Sequence, residues 1–239
     1  MIKQSQNQLI KNPIILALDV DDQREAEKFL NLVGDLVGAI KLGPRLVYRY
    51  GSDFVKACSL KAPVFVDNKY FDIPSTMVAA VKASFESGAT LVTVHALSGR
   101  EALAQLAQLE IELNKVRPFK ILAVTILTSW DQTSFPESFK KLSVSDHVMS
   151  LTTLVKDAGL SGLVCSAHEI ELLKTYNLFH DLYVVTPGVR LNTTTNCDQK
   201  RVMNPRDAIK AGASALVIGR PILESANPRQ TVEDILGSL

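Results

Sequence analysis

Cysteines, targeting signals and long apolar runs are scarce or missing in this sequence. The three cysteines, Cys58, Cys165 and Cys197, lie far apart and without CxxC spacing, so they indicate neither a disulfide framework nor a structural zinc site. A reducing, cytoplasmic location is therefore expected. The polar N-terminus is followed by the apolar run IILALDV, which is too short for a signal-peptide core with its cleavage site or for a membrane span.

Charge imbalance and the common cofactor motifs are absent as well. Lysine and arginine number 26 against 25 aspartate and glutamate residues, which leaves a net charge of +1. Neither nucleic acid nor a membrane is therefore expected as a partner, and any anion site must be local. No GxxxxGK[ST] segment occurs, no GxGxxG follows a predicted strand, and the four histidines are scattered. These absences argue against ATP-type, dinucleotide and zinc sites.

The sequence does contain a regular alternation of short β-branched runs and longer amphipathic segments such as STMVAAVKASFESG. Eight such βα units predict an α/β protein with a single (β/α)8 TIM barrel, in which residues 1–239 form one catalytic domain. The predicted strands cover residues 14–20, 39–43, 64–69, 91–96, 121–127, 162–166, 182–188 and 215–220.

Charged side chains fall near the carboxyl ends of the first three predicted strands. Asp19 ends the first, Lys41 lies in the second, and Asp67 and Lys69 lie in the third. Alternate residues of a strand share a face, so Asp67 and Lys69 should both point into the barrel. Active sites of such barrels lie at this end. The alternative is a set of rim charges, solvated or paired, although alternating signs are also the arrangement that limits the cost of burying charges.

An aspartate and a lysine placed in this way suit a decarboxylation. Neighbouring carboxylates favour the ammonium form of Lys69, which makes it a proton donor rather than a nucleophile. Asp67 would repel an anionic group bound beside it, and loss of that group as neutral CO2 would relieve the repulsion. Lys69 could then protonate the carbanion that remains.

A phosphate site is predicted on the opposite side of the barrel. The segments VTPGVR and LVIGRP each end a predicted strand in glycine followed within two residues by arginine, and the ends of strands seven and eight are a frequent phosphate site in this fold. Gly219 and Arg220 are the better candidates, and Arg190 and Gln199 could reach the same group from the polar segment 188–205. A glycine–arginine pair is also typical of an ordinary turn, and the segment is also typical of a surface loop.

Residues 67–76, DNKYFDIPST, resemble the D-x-K-x-x-D-I-P-x-T signature of the orotidine 5'-phosphate decarboxylase family. Further segments resemble the bacterial form of the family in the same order, and the resemblance extends from about residue 14 to the C-terminus. It implies decarboxylation of orotidine 5'-phosphate to UMP and CO2, the last step of de novo UMP synthesis, with no metal or organic cofactor. The matching segments are LALDV, KLG, VTVHA, AVTILTS, VCSAHE, TPGVR, CDQKRVMNP and VIGRPI.

The same resemblance implies roles for individual residues. Lys69 would protonate C6, Asp67 would face the departing carboxylate, and Asp19 and Lys41 would contact the ribose hydroxyls and complete the charged network. Asp72 would complete the catalytic set from across a homodimer interface. The other substrate-binding positions would be Ile73 and Thr76 in the partner subunit's site, Thr128 and Ser129 at the pyrimidine, and Arg190, Gln199, Gly219 and Arg220 at the phosphate.

The motif also departs from the family pattern. The family usually has Leu, Phe, His and Asn where this chain has Asn68, Tyr70, Phe71 and Ser75, and Asn68 should face the helix layer, where it needs a polar partner.

Two rival functions are also open. A magnesium-dependent sugar-phosphate decarboxylase or aldolase of the same superfamily shares D-x-K-x-x-D, although the LTS and DQKR segments favour the nucleotide enzyme. The second rival is a non-catalytic barrel that binds a phosphorylated nucleoside.

Overall fold

The computed structural model describes residues 9–139, 141–189 and 203–239. Eight parallel strands close into a barrel in chain order, so the predicted (β/α)8 fold is confirmed. The strands are β1 (Ile14–Ala17), β2 (Ala39–Leu42), β3 (Val64–Tyr70), β4 (Ala89–His95), β5 (Lys120–Val124), β6 (Gly162–Val164), β7 (Tyr183–Thr186) and β8 (Ala215–Ile218).

Helices follow the strands and surround the barrel. Proline occupies the first turn of several of them, including α2 and α3, where its missing N–H costs no hydrogen bond. Within the described ranges the helices are α1 (Gln23–Val33), α2 (Pro44–Ser59), α3 (Pro74–Glu86), α4 (Gly99–Asn114), α5 (Val144–Asp157), α6 (Ala167–Thr175), α7 (Pro205–Ala211), α8 (Arg220–Leu223) and α9 (Pro228–Ser238). None of these helices, in the part of the chain that is described, has the length and apolar character needed to cross a membrane.

Two apolar layers hold the barrel together. The larger one lies between the outer faces of the strands and the helices. The smaller one fills the barrel interior with side chains from most of the strands, because alternate strand residues point inward. It consists of Ile10, Ile15, Ala39, Phe65, Leu91, Leu122, Val185 and Ala215.

Most strands end one to three residues earlier than predicted, and the difference is largest, three residues, at β1 and β5. β1 ends at Ala17 rather than at residue 20, and β5 ends at Val124 rather than at residue 127. The residues that leave the sheet here include Asp19 and Ile126, which line a cavity at the carboxyl end of the barrel. After β5 the apolar run continues because Ile126 and Leu127 form part of the cavity wall. After β1 it continues because Leu18 and Val20 pack in the outer apolar layer.

Strand β3 is irregular where its charged residues begin. Val66 pairs with Val92 and Tyr70 pairs with Val94, so three residues of β3 lie opposite one residue of β4. The side chain of Asn68 donates from Nδ2 to Tyr70 Oη at 3.0 Å, which supplies the polar partner that was expected. Asn68 Oδ1 is buried and has no hydrogen-bond partner among the described residues.

Candidate active site

Four charged side chains, from β2, from β3 and from the segment directly after β1, meet at the carboxyl end of the barrel. Lys41 Nζ lies 3.0 Å from Asp19 Oδ1 and 3.5 Å from Asp67 Oδ2. Lys69 Nζ lies 2.9 Å from Asp67 Oδ1. The four residues therefore form one chain of alternating sign, in which each lysine contacts Asp67.

Strand register brings these side chains together. Lys41 pairs with Ala17 of β1 and with Phe65 of β3. Asp19 and Asp67 each lie two residues beyond these partners, on the same face of their segments. The carboxylates consequently flank Lys41 from both sides.

Burial and pairing act in opposite directions on the two innermost charges. Burial alone would lower the pKa of Lys41, but the Asp67 and Asp19 carboxylates outweigh burial and raise that pKa above its ordinary value. Burial would raise the pKa of Asp67, whereas Lys41 and Lys69 lower it, and the net direction is downward. Both groups are therefore held in their charged forms although little of either side chain reaches solvent.

A threonine that the sequence analysis did not single out contacts two members of this network. Thr93 of β4 is fully buried. Its hydroxyl donates to Asp67 Oδ1 at 2.9 Å and accepts the backbone N–H of Lys69 at 2.9 Å. Thr93 alternates with Leu91 along β4, so the strand period that places Asp67 and Lys69 inside the barrel also predicts an inward side chain at Thr93.

The network forms one wall of a cavity of about 610 Å³ at the mouth of the barrel. This volume is in the range of small-molecule sites. Arg45, a further lining residue that the sequence analysis did not name, pairs with Asp21 at 3.2 Å. The cavity brings together eight of the predicted site residues: Asp19, Lys41, Asp67, Lys69, Thr128, Ser129, Gly219 and Arg220.

The side of the cavity after β7 and β8 is built for a close backbone approach. Gly188 has φ of +80°, a conformation that glycine adopts without strain. A Cβ at Gly219 would lie 3.3 Å from Ala17 Cβ, so a larger residue would press on β1. Arg220, at the first position of α8, is exposed at the cavity rim. The predicted residues Arg190 and Gln199 lie outside the described residues.

The second half of the motif lies away from the cavity of its own chain. Asp72, Ile73 and Thr76 are exposed, and none of the three lines the cavity as the described residues form it. Asp72 Oδ1 accepts the backbone N–H of Ile73 at 2.6 Å, just before α3 begins. Phe71 is 62% exposed and Ile73 is 64% exposed, so two large apolar side chains flank Asp72 on the surface.

Metal ligands of the usual kind do not cluster in the described ranges, where no group of three His, Cys, Asp or Glu residues comes together. Asp19 and Asp67 both line the cavity, and both bind lysine there. The ring of His95 contacts the backbone, where its Nδ1 accepts the N–H of Leu97 at 3.3 Å.

Comparison with known proteins agrees with this geometry. Residues 12–235 match the model of the family described as "Orotidine 5'-phosphate decarboxylase / HUMPS family". The chain is 38% identical over 234 residues to a relative from Psychromonas ingrahamii named orotidine 5'-phosphate decarboxylase, and this match covers 98% of the chain and 99% of the relative. A relative of the same name from Tolumonas auensis is 40% identical over 228 residues, which cover 95% of the chain and 97% of the relative.

Solved structures give the same result. The crystal structure of orotidine 5'-phosphate decarboxylase from Lactobacillus acidophilus superposes with a TM-score of 0.82 at 33% sequence identity, and the match covers 95% of this chain and 98% of that chain. An uncharacterized conserved protein from Geobacillus kaustophilus superposes with a TM-score of 0.79 at 29% identity, over 95% and 99% of the two chains. This chain therefore belongs to the orotidine 5'-phosphate decarboxylase / HUMPS family.

Proposed function

We propose that this chain decarboxylates orotidine 5'-phosphate to UMP and CO2, as the last step of de novo UMP synthesis. The observation that carries the proposal is the pair formed by Asp67 and Lys69, whose charged atoms lie 2.9 Å apart in the wall of the cavity. The family match supplies the substrate, because the relatives are named for it. Residues 1–239 act in this proposal as one catalytic domain.

The reaction breaks one carbon–carbon bond and makes one carbon–hydrogen bond. The substrate carboxylate at C6 lies next to Asp67, whose pKa is lowered and which therefore remains an anion. The C6–carboxylate bond breaks, CO2 leaves without charge, and the electron pair stays on C6. Lys69 donates a proton from Nζ to that pair and recovers a proton from water. Repulsion by Asp67 is greatest in the bound substrate and falls as CO2 leaves, so it favours the transition state over the bound substrate.

Lys41 keeps this arrangement together. It binds Asp19 and Asp67, and its positive charge limits the cost of burying Asp67 beside an anionic substrate. Asp19 has a side chain that is 55% exposed. In this proposal Asp19 and Lys41 also contact the ribose hydroxyls of the substrate.

Binding of the remote groups positions the reacting carbon. Thr128 and Ser129 follow β5 and line the cavity, where we assign them to the pyrimidine. Gly219 and Arg220 bind the phosphate, together with Arg190 and Gln199 from the segment after β7. Phosphate binding then contributes to catalysis, because it holds C6 against the pair formed by Asp67 and Lys69.

The second half of the motif is proposed to act across a homodimer. Asp72, Ile73 and Thr76 are exposed and lie outside the cavity of their own chain. Exposed Phe71 and Ile73 provide apolar surface beside Asp72, which suits an interface between two copies. In the dimer Asp72 of one protomer completes the charged network of its partner.

Subunit mixing tests the dimer. Lys69→Ala and Asp72→Ala proteins are each expected to be inactive, and each carries its defect in a different half of the shared site. After random exchange, half of the dimers are mixed and one of their two sites is intact, so roughly a quarter of the wild-type activity should return. Recovery of no activity, with exchange verified by differently tagged protomers, would contradict a site shared between subunits.

The activity is tested by following the absorbance of orotidine 5'-phosphate in the presence of EDTA. We expect decarboxylation with EDTA present, because the proposed chemistry is carried by lysine and aspartate alone. Strict dependence on added magnesium, with turnover of a sugar phosphate, would favour the magnesium-dependent rival. Binding of UMP with no turnover would favour the non-catalytic barrel.

The role of Lys69 is tested by substitution. Lys69→Ala should lower kcat by about 10²–10⁴-fold, the range usual for a general acid, while UMP binding measured by calorimetry remains detectable. Lys28→Ala, at an exposed position of α1, is the control and should retain wild-type turnover. Ordinary turnover by Lys69→Ala would remove Lys69 from the proposed role.

The cytoplasmic location is also part of the proposal and rests on the three widely separated cysteines.

A further inference from the structure

We propose that Thr93 is the positioning residue of Lys69, holding the backbone of the lysine in a left-handed conformation and its ammonium group against Asp67. This inference rests on the proposed function, because Lys69 is the proton donor only if the decarboxylation takes place here. Thr93 itself touches no reacting atom in the proposed mechanism. Its effect on the reaction passes through Lys69 and Asp67.

The backbone of Lys69 has an unfavourable conformation. Its φ is +47°, in the left-handed region that lysine rarely adopts. Among the described residues only Asn177 and Asp181 share a positive φ without being glycine, and these two residue types tolerate it better. A conformation of this kind persists only where neighbouring contacts enforce it.

The strand register shows which contact enforces it. Between the pairs Val66–Val92 and Tyr70–Val94, β3 has three residues and β4 has only Thr93. Lys69 therefore belongs to a bulge whose backbone cannot follow the regular ladder. The N–H of Lys69 donates instead to Thr93 Oγ1 at 2.9 Å, so a side chain replaces the missing backbone partner.

The hydroxyl of Thr93 also closes a ring of hydrogen bonds. It donates to Asp67 Oδ1 at 2.9 Å, and the same oxygen accepts from Lys69 Nζ at 2.9 Å. The ring thus runs from the backbone nitrogen of Lys69 through Thr93 and Asp67 to the ammonium group of the same lysine. Both ends of the lysine are held by one aspartate and one threonine.

Threonine suits this position for two reasons. A hydroxyl can donate and accept at once, and both capacities are used here. The residue is fully buried, so water has no access that would let it replace either contact. Its branched Cβ also restricts χ1, which keeps the hydroxyl aimed at the bulge.

Removing the hydroxyl of Thr93 should displace the proton donor, the ammonium group of Lys69. In Thr93→Val the N–H of Lys69 loses its acceptor and Asp67 loses one donor, while side-chain volume is nearly unchanged. The strained backbone can then relax, and the ammonium group moves relative to C6. A shift of about 1 Å in a reacting group can cost about 10²-fold in rate.

The test compares single-turnover rates of CO2 release with substrate affinity. Thr93→Val should lower the single-turnover rate about 10- to 100-fold and leave the Kd for UMP within about threefold, because Thr93 holds the proton donor rather than the ligand. Thr93→Ser keeps the hydroxyl and should restore most of the rate. Thr93→Cys, whose thiol is a weak donor and acceptor, should lie between these two and serves as the readout if the valine protein does not fold.

Thr125→Val is the matched control. Thr125 is also fully buried, and its hydroxyl donates to Val164 O at 3.1 Å, an oxygen that the Thr125 N–H already binds. Its single-turnover rate should equal that of the wild type. The inference is overturned if the valine or cysteine variant at position 93 keeps the wild-type rate, if serine fails to rescue, or if rate and UMP affinity fall together. Absence of turnover in the wild-type protein would instead defeat the proposed function.

Discussion

Replacing Lys41 with methionine removes the ammonium group that lies between two carboxylates and leaves its apolar stem in place. Lys41 Nζ contacts Asp19 at 3.0 Å and Asp67 at 3.5 Å, and the Asp67 side chain is only 14% exposed. Removing one partner of a buried ion pair costs roughly 3–5 kcal/mol. Asp67 keeps its contacts to Lys69 and Thr93, so we expect a loss of about 3 kcal/mol, the lower end of that range.

The dependence on pH follows from the directions of the two pKa shifts. The pKa of Asp67 is lowered in the folded state, so its contribution to stability is present above about pH 3.9, the unfolded value, and is lost as the pH falls below it. The pKa of Lys41 is raised, so its contribution is present below about pH 10.4 and is lost as the pH rises through the folded value. The difference between wild type and Lys41→Met should therefore be largest near neutrality and shrink toward both extremes.

Urea unfolding followed by circular dichroism at a series of pH values measures this difference. Lys174→Met is the control, since Lys174 pairs with Glu171 at 3.2 Å and the Glu171 side chain is 70% exposed. A surface pair of this kind should change the free energy of unfolding by less than about 1 kcal/mol. A loss below about 1 kcal/mol for Lys41→Met at neutral pH, or a loss that does not vary with pH, would refute the reasoning.

Three further substitutions test the structure at other places. In the wild type, Lys120 Nζ lies 2.9 Å from Glu110, and Glu110→Ala removes this carboxylate. Thermal melting should show a loss of about 2–4 kcal/mol in the free energy of unfolding. An unchanged melting temperature would contradict this expectation. Arg220→Ala removes a cation at the cavity rim and should raise KM more than it lowers kcat in steady-state assays; an unchanged KM would argue against phosphate binding there. Asn68→Leu removes a buried oxygen that finds no partner in the described part of the chain and should raise the free energy of unfolding by about 0.5–1 kcal/mol in urea. A loss of stability would show that the lost hydrogen bond to Tyr70 matters more than the unpaired oxygen.

The fold was predictable from the sequence because its signals are local. Strand runs recur with intervening helical periodicity, and each of the eight predicted strands is present in the barrel. Their carboxyl ends were predicted less well at β1 and β5. Apolar residues continue past both strand ends, into the outer apolar layer after β1 and into the cavity wall after β5, and periodicity does not distinguish these residues from strand residues.

The candidate site was predictable where it depended on strand alternation. Asp19, Lys41, Asp67 and Lys69 were expected at one end of the barrel and lie there, in contact. Asp72 follows the same strand, yet its exposure and its place outside the cavity come from the turn into α3. Its action in a partner subunit stays a prediction.

The sequence by itself determined the eight-unit barrel and the residues that carry charge at its mouth, since both are set by side-chain chemistry at fixed spacing. Only the tertiary structure decided how Lys69 is held. Its positive φ and its bond to Thr93 require β3 and β4 to pair across a bulge. Thr93 lies 24 residues from Lys69 along the chain, so the contact exists only after β3 and β4 have paired, and no local pattern encodes it.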